Sequence, residues 1–283
     1  MKIEGEMDMS KAMFVITHKS IEKKIELDDF YYLGVGNNKN NAEFKDSSMD
    51  NISEKNPHYC ELTGLYWMWK NTNYEEIGLC HYRRFFCKIK QGMYKLCTVD
   101  ELSCYLENVD IILPKKVNVY MDYFTFYEKC LRNDALRRCC ELIIKKDKTY
   151  EKIINRLLRQ NYYHCFNMFY CKKELMNEYC QWLFEILFDF EKKIDITEWS
   201  AQQQRVYGFI AEFLMNVWIE KKGLIVKEID VAQSEEFPAP MTTNAEINVI
   251  NPNFLKKILY KLLPIVWPLF SKRLIRKSVK GEK

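Results

Sequence analysis

The sequence lacks the patterns of membrane spans, signal peptides and paired-cysteine zinc sites, and each absence disfavours the corresponding class of protein. No apolar run approaches the roughly 20 residues that are needed to cross a bilayer. Residues 1–10 are polar and contain no apolar stretch of the kind found in signal peptides. The 11 cysteines include no Cys-x-x-Cys pair, which disfavours a zinc site. We therefore expect a cytoplasmic protein whose cysteines are reduced and mostly buried.

The composition is that of a globular protein with a sizeable core. Hydrophobic residues make up 48% and aromatic residues 14% of the 283 positions, enough for one large domain or two small ones. The net charge of +4 is unevenly distributed, because residues 251–283 contain nine Lys or Arg and one acidic residue. The remainder of the chain is therefore net acidic.

The segment 251–283 interleaves apolar and aromatic residues with basic ones. This pattern is typical of an amphipathic helix that lies on an anionic membrane surface. A helix docked on the body, with a solvated basic face, is the alternative. We predict a polar extension over residues 1–11, one domain over 12–232, a linker over 233–250 and a membrane-associating tail over 251–283.

Alternating strand and helix patterns predict an α/β fold with a central, largely parallel sheet. Short apolar or aromatic runs indicate strands at residues 12–17, 31–36, 76–80, 109–114, 162–171 and 226–231. Helical patterns cover residues 56–70, 98–107, 120–160, 173–190 and 198–221. Asn56 is expected to cap the first helix, with Pro57 at its first position. Thr98 and Glu101 predict a capping box.

Two adjacent arginines at the end of a predicted strand are the most informative feature of the sequence. The strand at 76–80 is followed directly by His81, Tyr82, Arg83 and Arg84. Ligands of open α/β sheets bind at the carboxyl ends of strands, and a guanidinium pairs well with phosphate. We predict that Tyr82, Arg83 and Arg84 bind the diphosphate of a phosphorylated ligand. A structural arginine pair is the alternative.

Other polar residues flank the same predicted elements. His18 and Lys19 follow the first strand and could contact the same phosphorylated ligand, through its nucleotide, unless they belong to a surface loop. The catalytic candidates are Glu61, His81 and Asp50, with Glu61 as a base or as an acceptor for a substrate hydroxyl.

The candidate substrate-binding residues are Asn51, Lys55, Asn56, Asn167, Arg205 and Glu212. Asn167 lies in a predicted aromatic strand, where its side chain would point into a cleft and suit the hydroxyls of a ligand. Arg205 and Glu212 are seven residues apart and so share one helix face. A structural ion-pair network would explain that last pair equally well.

Residues Asn51–Asn71 and Ile77–Phe86 resemble the signature of a bacterial family of capsular or exopolysaccharide glycosyltransferases. That family was long catalogued as a domain of unknown function. The resemblance continues at Phe166–Phe169, Glu178–Phe184 and Arg205–Glu212, and covers residues 12–232. Phe213, where the family leads us to expect a basic residue, and the loop at 37–49 depart from the pattern and bear on acceptor specificity.

The resemblance implies a GT-A-like fold and transfer of a hexosyl group, galactosyl or galactofuranosyl, to a lipid-linked oligosaccharide. Many such enzymes hold a divalent metal through Asp-x-Asp at a strand end, but the chain contains no Asp-x-Asp. We therefore expect a metal-independent reaction without a cofactor, with Arg83 or Arg84 neutralising the leaving diphosphate. A divalent Mn²⁺ or Mg²⁺ ion is the alternative. The expected partners are a nucleotide diphosphate sugar, a lipid-linked glycan and the anionic inner face of the plasma membrane.

Two other classes of protein remain as alternatives at this point. A non-catalytic nucleic-acid-binding protein could use the basic tail, but it should carry basic residues across its body, and this body is net acidic. A methyltransferase could use Gly34-x-Gly36, but that pair lacks the third glycine of a dinucleotide-type loop. We therefore expect no nucleic-acid partner.

Overall fold

The computed structural model describes residues 11–22, 24–36, 40–90, 93–131 and 133–233. The predicted extension (except Lys11), the linker beyond Gln233 and the amphipathic tail lie outside these residues. The described strands are β1 (Lys11–Thr17), β2 (Phe30–Gly34), β3 (Phe44–Lys45), β4 (Glu76–His81), β5 (Arg84–Lys90), β6 (Met93–Leu96), β7 (Ile111–Pro114), β8 (Val117–Asn118), β9 (Tyr162–Tyr163), β10 (Phe169–Lys172) and β11 (Val226–Gln233).

The predicted α/β class is confirmed, but the central sheet is mixed rather than largely parallel. Within the described residues it contains nine strands in the order β3-β2-β1-β4-β10-β7-β11-β5-β6, and β8 pairs with β9 separately. The four strands from β3 to β4 run parallel. β10 is antiparallel to both of its neighbours, and β5 is antiparallel to β11, β4 and β6. Strands β3, β5, β6 and β8 were not expected from the sequence.

The described helices are α1 (Asn56–Tyr59), α2 (Leu62–Asn71), α3 (Val99–Leu106), α4 (Tyr123–Leu131), α5 (Ala135–Lys146), α6 (Glu151–Leu158), α7 (Lys173–Glu191), α8 (Ala201–Gln204) and α9 (Val206–Lys222). The capping box is confirmed, because the Thr98 hydroxyl accepts from the Glu101 backbone and the Glu101 carboxylate accepts from the Thr98 backbone. The helical pattern at 120–160 is confirmed as α4, α5 and α6.

The central strands are buried on both faces of the sheet. Along β1, Phe14 and Ile16 pack in one cluster with α2, α7 and α9, whereas Met13 and Val15 pack in a second cluster with α3. Successive side chains of a strand point to opposite faces, and because both faces are covered the strand reads as a continuous apolar run. That run is what made β1 and β4 predictable from the sequence.

The helix predicted at 56–70 is broken, and Asn56 is not its cap. Lys55 occupies the N-cap position, its side chain makes no capping hydrogen bond, and Asn56 is the first residue of α1. Cys60 separates α1 from α2 with a φ of 53°. The Asn56 amide closes the break by donating to the Cys60 carbonyl (2.8 Å) and to the Thr63 hydroxyl (3.0 Å). The Asn56 side chain therefore stabilises the break between α1 and α2 instead of capping a helix.

Two further predicted elements are also interrupted. The aromatic run at 162–171 forms β9 and β10 separately, joined by a segment in which Phe166 and Asn167 have φ values of 77° and 51°. The helix predicted at 198–221 is divided at Arg205 into α8 and α9. In both places the interruption falls beside the cleft described next.

Candidate functional site

A cleft of about 1060 Å³ opens at the carboxyl ends of β1, β2 and β4. Ile16 and His81 from the ends of β1 and β4, and Val35 just after β2, line it. The location is the one expected for a ligand site in an α/β sheet. The predicted site residues that line the cleft are His18, Lys19, Asn56, Glu61, His81, Tyr82, Arg83, Arg84, Arg205 and Glu212.

Four of the predicted residues do not line the cleft: Asn167, which is buried, and Asp50, Asn51 and Lys55, which have structural contacts elsewhere. The Asp50 carboxylate accepts from the Tyr66 hydroxyl at 3.2 Å. The Asn51 side chain donates to the Met49 carbonyl at 2.8 Å and accepts from Ser53. Lys55 forms an ion pair with Glu191 at 2.8 Å. The structure therefore assigns Asp50 and Asn51 to the loop before α1, and Lys55 to an ion pair with α7.

The first side of the cleft is cationic. Strands β4 and β5 form a hairpin in which His81 pairs with Arg84, so that Tyr82 and Arg83 form the turn. The His18 ring packs edge-on against the Tyr82 ring at 5.4 Å, and the Arg83 guanidinium lies 5.8 Å from the same ring. Partial burial, together with the charges of Lys19, Arg83 and Arg205, lowers the pKa of His18. An anionic ligand would therefore meet several positive charges at this side.

Arg84 differs from Arg83 in its contacts. Its Nε atom donates to the Gln233 side chain at 3.1 Å, and its guanidinium lies 4.4 Å from the centre of the Phe166 ring. The pKa of Arg84 is lowered, first by burial and then by the neighbouring Arg83 charge. The charges of Glu212 and Glu61 oppose this decrease without reversing it. Arg84 is thus placed between the cationic side and two carboxylates.

Those carboxylates, Glu61 and Glu212, form the acidic centre of the cleft. Glu61 accepts a hydrogen bond of 2.7 Å from the Asn167 amide. Burial, followed by the charge of Glu61, raises the pKa of Glu212 to about 8, although Arg84 and the Phe166 backbone act in the opposite direction. One carboxyl of the pair, Glu212, therefore holds its proton at neutral pH.

His81 lies beside the pair but has one ring nitrogen already in use. Its Nε2 atom is 2.6 Å from the Phe166 carbonyl, which can only accept, so Nε2 carries a proton and donates. Burial lowers the pKa of His81 despite the nearby Glu61 charge. His81 is thus a neutral side chain that links β4 to the Phe166–Asn167 segment.

Helix α9 holds that segment in place along one face. Gly208, Glu212 and Asn216 are four residues apart and so lie in line. The Gly208 carbonyl accepts from the Asn167 amide at 3.1 Å. The Asn216 side chain accepts from the His164 backbone at 2.9 Å and donates to its carbonyl at 2.8 Å. Helix α9 thereby fixes Glu212 against a segment that is itself bonded to Glu61 and His81.

Uncommon backbone conformations are concentrated around the cleft. Cys60, Tyr120 and Phe166 line it and have φ values of 53°, 62° and 77°. Arg205 donates from Nε to the Cys60 sulfur at 3.2 Å, which joins the start of α9 to the α1–α2 break. Non-glycine residues at positive φ persist only where surrounding contacts hold them, and they are frequent at functional sites.

The second side of the cleft is aromatic and was not expected from the sequence. Its rings belong to Tyr123, Phe126 and Tyr163, with Tyr123 and Tyr163 packed edge-on at 4.3 Å. Tyr123 also stacks on Phe213 at 5.0 Å. Phe213, noted for its departure from the family pattern, therefore supports this aromatic side. The dense aromatic content of residues 120–127 was a usable signal, because aromatic residues commonly line ligand pockets.

The described residues contain neither a metal-binding cluster nor a membrane-spanning helix. No group of three or more His, Cys, Asp or Glu side chains is arranged to hold a metal ion within the part of the chain that the structure describes. Among the same residues, no helix is both long enough and apolar enough to cross a membrane.

Comparison with known proteins places the chain in a family. Residues 12–223 match the model of the family described as a domain of unknown function, DUF4422. The chain belongs to the DUF4422 family. Every residue assigned above to the cleft lies within the matched region. No curated protein matches the chain.

A solved structure relates this DUF4422 chain to glycosyltransferases. It is similar to the apo structure of WbbM, a bifunctional glycosyltransferase, with a TM-score of 0.71 and 29% sequence identity. The similarity covers 80% of this chain and 46% of WbbM, so the chain spans less than half of that protein. The prediction of a glycosyltransferase-related family is confirmed at this level.

The protonated state of Glu212 can be tested through stability. The pKa of Glu212 is about 8 in the folded protein instead of 4.5. At any pH between these two values unfolding releases a proton, so the free energy of unfolding falls as pH rises from about 4.5 to about 8. Glutamine at position 212 cannot ionise, so the Tm difference between Glu212→Gln and wild type should grow in favour of the variant, by about 2–4 °C or more, as pH approaches 8. Thermal denaturation across this pH range measures the difference. Glu54→Gln, at an exposed position, should show no such trend; a pH-independent difference for Glu212→Gln would contradict the assignment.

Proposed function

We propose that the cleft binds a nucleotide diphosphate sugar and transfers its hexosyl group to a glycan. One observation carries the proposal: a cationic side and an acidic pair lie together in one cleft, in a chain similar to part of a glycosyltransferase. We also propose a GT-A-like fold, since the parallel strands β2, β1 and β4 end at this cleft.

The cationic side suits the donor diphosphate. Lys19, Arg83 and Arg205 all lie near His18, where their charges act on its pKa. A phosphate that replaced solvent there would gain charge-assisted hydrogen bonds, which are stronger than neutral ones. The same charges would stabilise the nucleotide diphosphate as it leaves, and donors preorganised for developing charge contribute strongly to catalysis.

The acidic pair suits the acceptor hydroxyl and the transferred sugar. A glycosyl transfer needs a base that takes the proton of the attacking hydroxyl, and Glu61 lines the cleft with its carboxylate held by Asn167. Glu212, protonated at neutral pH, would donate a hydrogen bond to a sugar oxygen. In this proposal Glu61 is the catalytic residue and Glu212 binds substrate, as the sequence indicated.

The aromatic side suits the acceptor. Glu212, once ionised, raises the pKa of both Tyr123 and Tyr163, so its carboxyl lies close to both rings, between the aromatic and the cationic sides. Aromatic rings offer an apolar face to a sugar ring and a polar edge at a phenol. From the family resemblance we propose a lipid-linked oligosaccharide of capsular, exopolysaccharide or O-antigen synthesis as acceptor, and galactosyl or galactofuranosyl as the transferred group.

We propose that the arginines make a divalent metal unnecessary. The test is turnover of a panel of nucleotide diphosphate hexoses, with release of the nucleotide diphosphate measured in EDTA and in manganese. We expect release from at least one donor, at equal rates in both conditions, because Arg83 and Arg84 already supply positive charge. Loss of turnover in EDTA and its return with manganese would contradict the metal-independent mechanism, and no release from any donor would contradict the transferase.

We also propose that residues 251–283 attach the protein to the inner face of the plasma membrane. Basic residues near an anionic surface contribute about 1 kcal/mol each, and the segment has nine of them. Deleting residues 251–283 should abolish flotation with anionic liposomes while donor turnover persists. Flotation of the full chain should weaken in high salt. A truncated chain that still floats would contradict this attachment.

A further inference from the structure

We propose that Asn167 is a positioning residue that holds the Glu61 carboxylate in its reactive orientation. The inference rests on the proposed function and deepens it. Sequence patterns placed Asn167 in a strand, pointing into the cleft at a sugar. In the structure its side chain is only 3% exposed and does not line the cleft.

The contacts of Asn167 determine which way its amide points. The Nδ2 atom donates to Glu61 Oε1 at 2.7 Å and to the Gly208 carbonyl at 3.1 Å. Both partners are acceptors, so only the NH2 group can serve them. The carboxamide oxygen is buried and has no hydrogen-bond partner among the described residues. A buried acceptor left without a partner is unfavourable, and the two hydrogen bonds donated by the NH2 group hold the amide in this orientation.

The backbone conformation at Asn167 also directs its side-chain amide toward Glu61. Phe166 and Asn167 have consecutive positive φ values of 77° and 51°. Asparagine tolerates this region better than most residues, whereas phenylalanine does not. The conformation directs the Phe166 carbonyl to His81 and the Asn167 amide to Glu61. One strained segment therefore sets both side chains with respect to the cleft.

A neutral amide is suited to orienting a carboxylate in these surroundings. Glu61 is faced by charged or titratable groups from the elements around it, namely Cys60 at the α1–α2 break, His81 on β4, Arg84 on β5, Tyr179 on α7, Arg205 at the α8–α9 break and Glu212 on α9. An arginine or lysine in place of Asn167 would neutralise the base. Asparagine fixes the carboxylate and leaves its charge available to accept a proton.

The direct test is the pH dependence of kcat in Asn167→Asp. Aspartate has nearly the same shape and also tolerates positive φ, but it places a second carboxyl against Glu61. Two carboxyls at hydrogen-bond distance share a proton, which raises the pH at which the base becomes free. The acidic limb of the kcat profile should move up by about one pH unit or more, while the donor KM stays unchanged. An unmoved limb would overturn the proposal.

Asn216→Asp is the matched control. Asn216 anchors the same segment through the His164 backbone and does not contact Glu61. Its substitution should lower Tm and leave the acidic limb in place. A limb that moves equally in both variants would mean that the effect reflects loosening of the segment, which would also overturn the proposal.

A second variant covers the case in which Asn167→Asp does not fold. Asn167→Ser keeps a small polar side chain that is too short to reach Glu61, so kcat should fall about tenfold or more without a change in donor KM. Unchanged kcat would overturn the positioning role. Wild-type protein that binds and turns over no nucleotide diphosphate sugar would contradict the proposed function first, and the role of Asn167 with it.

Discussion

Glu61→Gln should lower kcat by about 10²–10⁴-fold, the range that general-base catalysis contributes. Glutamine keeps the shape of Glu61 and can still accept from the Asn167 amide through its carbonyl oxygen, so the cleft should keep its geometry. It cannot take a proton from an acceptor hydroxyl. The fall in kcat should therefore come without a matching change in donor affinity. Initial rates of transfer, and calorimetric titration of the donor, measure the two quantities separately.

Glu54→Gln is the control for this variant. Glu54 is exposed, lies a short distance before α1 and does not line the cleft. It removes the same charge from the same region and should leave kcat unchanged. If Glu61→Gln retains wild-type kcat, Glu61 is not the base, and the other carboxyl at the centre of the cleft, Glu212, becomes the candidate.

Arg83→Ala should weaken binding of a nucleotide diphosphate about tenfold or more, because a hydrogen bond to a charged group contributes about 1.5–3 kcal/mol. Arg83 lies in the β4–β5 turn on the cationic side, and its truncation removes positive charge without removing an element of the sheet. Arg84→Ala should weaken binding as well. It should also lower Tm, because Arg84 donates to Gln233 at the end of β11. Calorimetric titration gives both affinities.

Arg137→Ala separates a local contact from a general change in net charge. Arg137 is exposed on α5 and forms ion pairs with Asp134 and Glu141. The variant changes the net charge by the same amount as Arg83→Ala and should leave nucleotide affinity unchanged. Equal losses in both variants, or no loss in Arg83→Ala, would contradict the proposal that the cationic side binds the diphosphate.

The parts of the fold that the sequence revealed are those in which local pattern and tertiary packing agree. β1 and β4 are buried on both faces and read as apolar runs, and the helix after Thr98 begins with a side-chain cap. The clustering of His18, His81, Arg83 and Arg84 followed from strand order alone, because parallel strands end at the same edge. The mixed sheet did not follow, since β5 and β6 come directly after a hairpin turn whose residues were interpreted only as ligand contacts.

The parts that the sequence did not reveal are set by contacts between distant residues. Cys60 interrupts a helix because the Asn56 amide and Arg205 hold it there, and no local signal such as glycine marks the position. Asn167 is buried because α9 supplies a carbonyl that its amide needs. The raised pKa of Glu212 depends on burial and on Glu61, which is far away in sequence. These features all lie at the proposed site. There the conformation that the local sequence prefers differs from the one that the cleft requires.

The most direct test of the proposed donor site is calorimetric titration of the wild-type protein with a nucleoside, its monophosphate and its diphosphate. The cationic side formed by Lys19, Arg83 and Arg205 should make affinity rise with each phosphate, with the diphosphate about tenfold or more tighter than the monophosphate. The increase should shrink at high salt. Equal affinity for all three ligands, or no binding of the diphosphate, would contradict a donor site in this cleft.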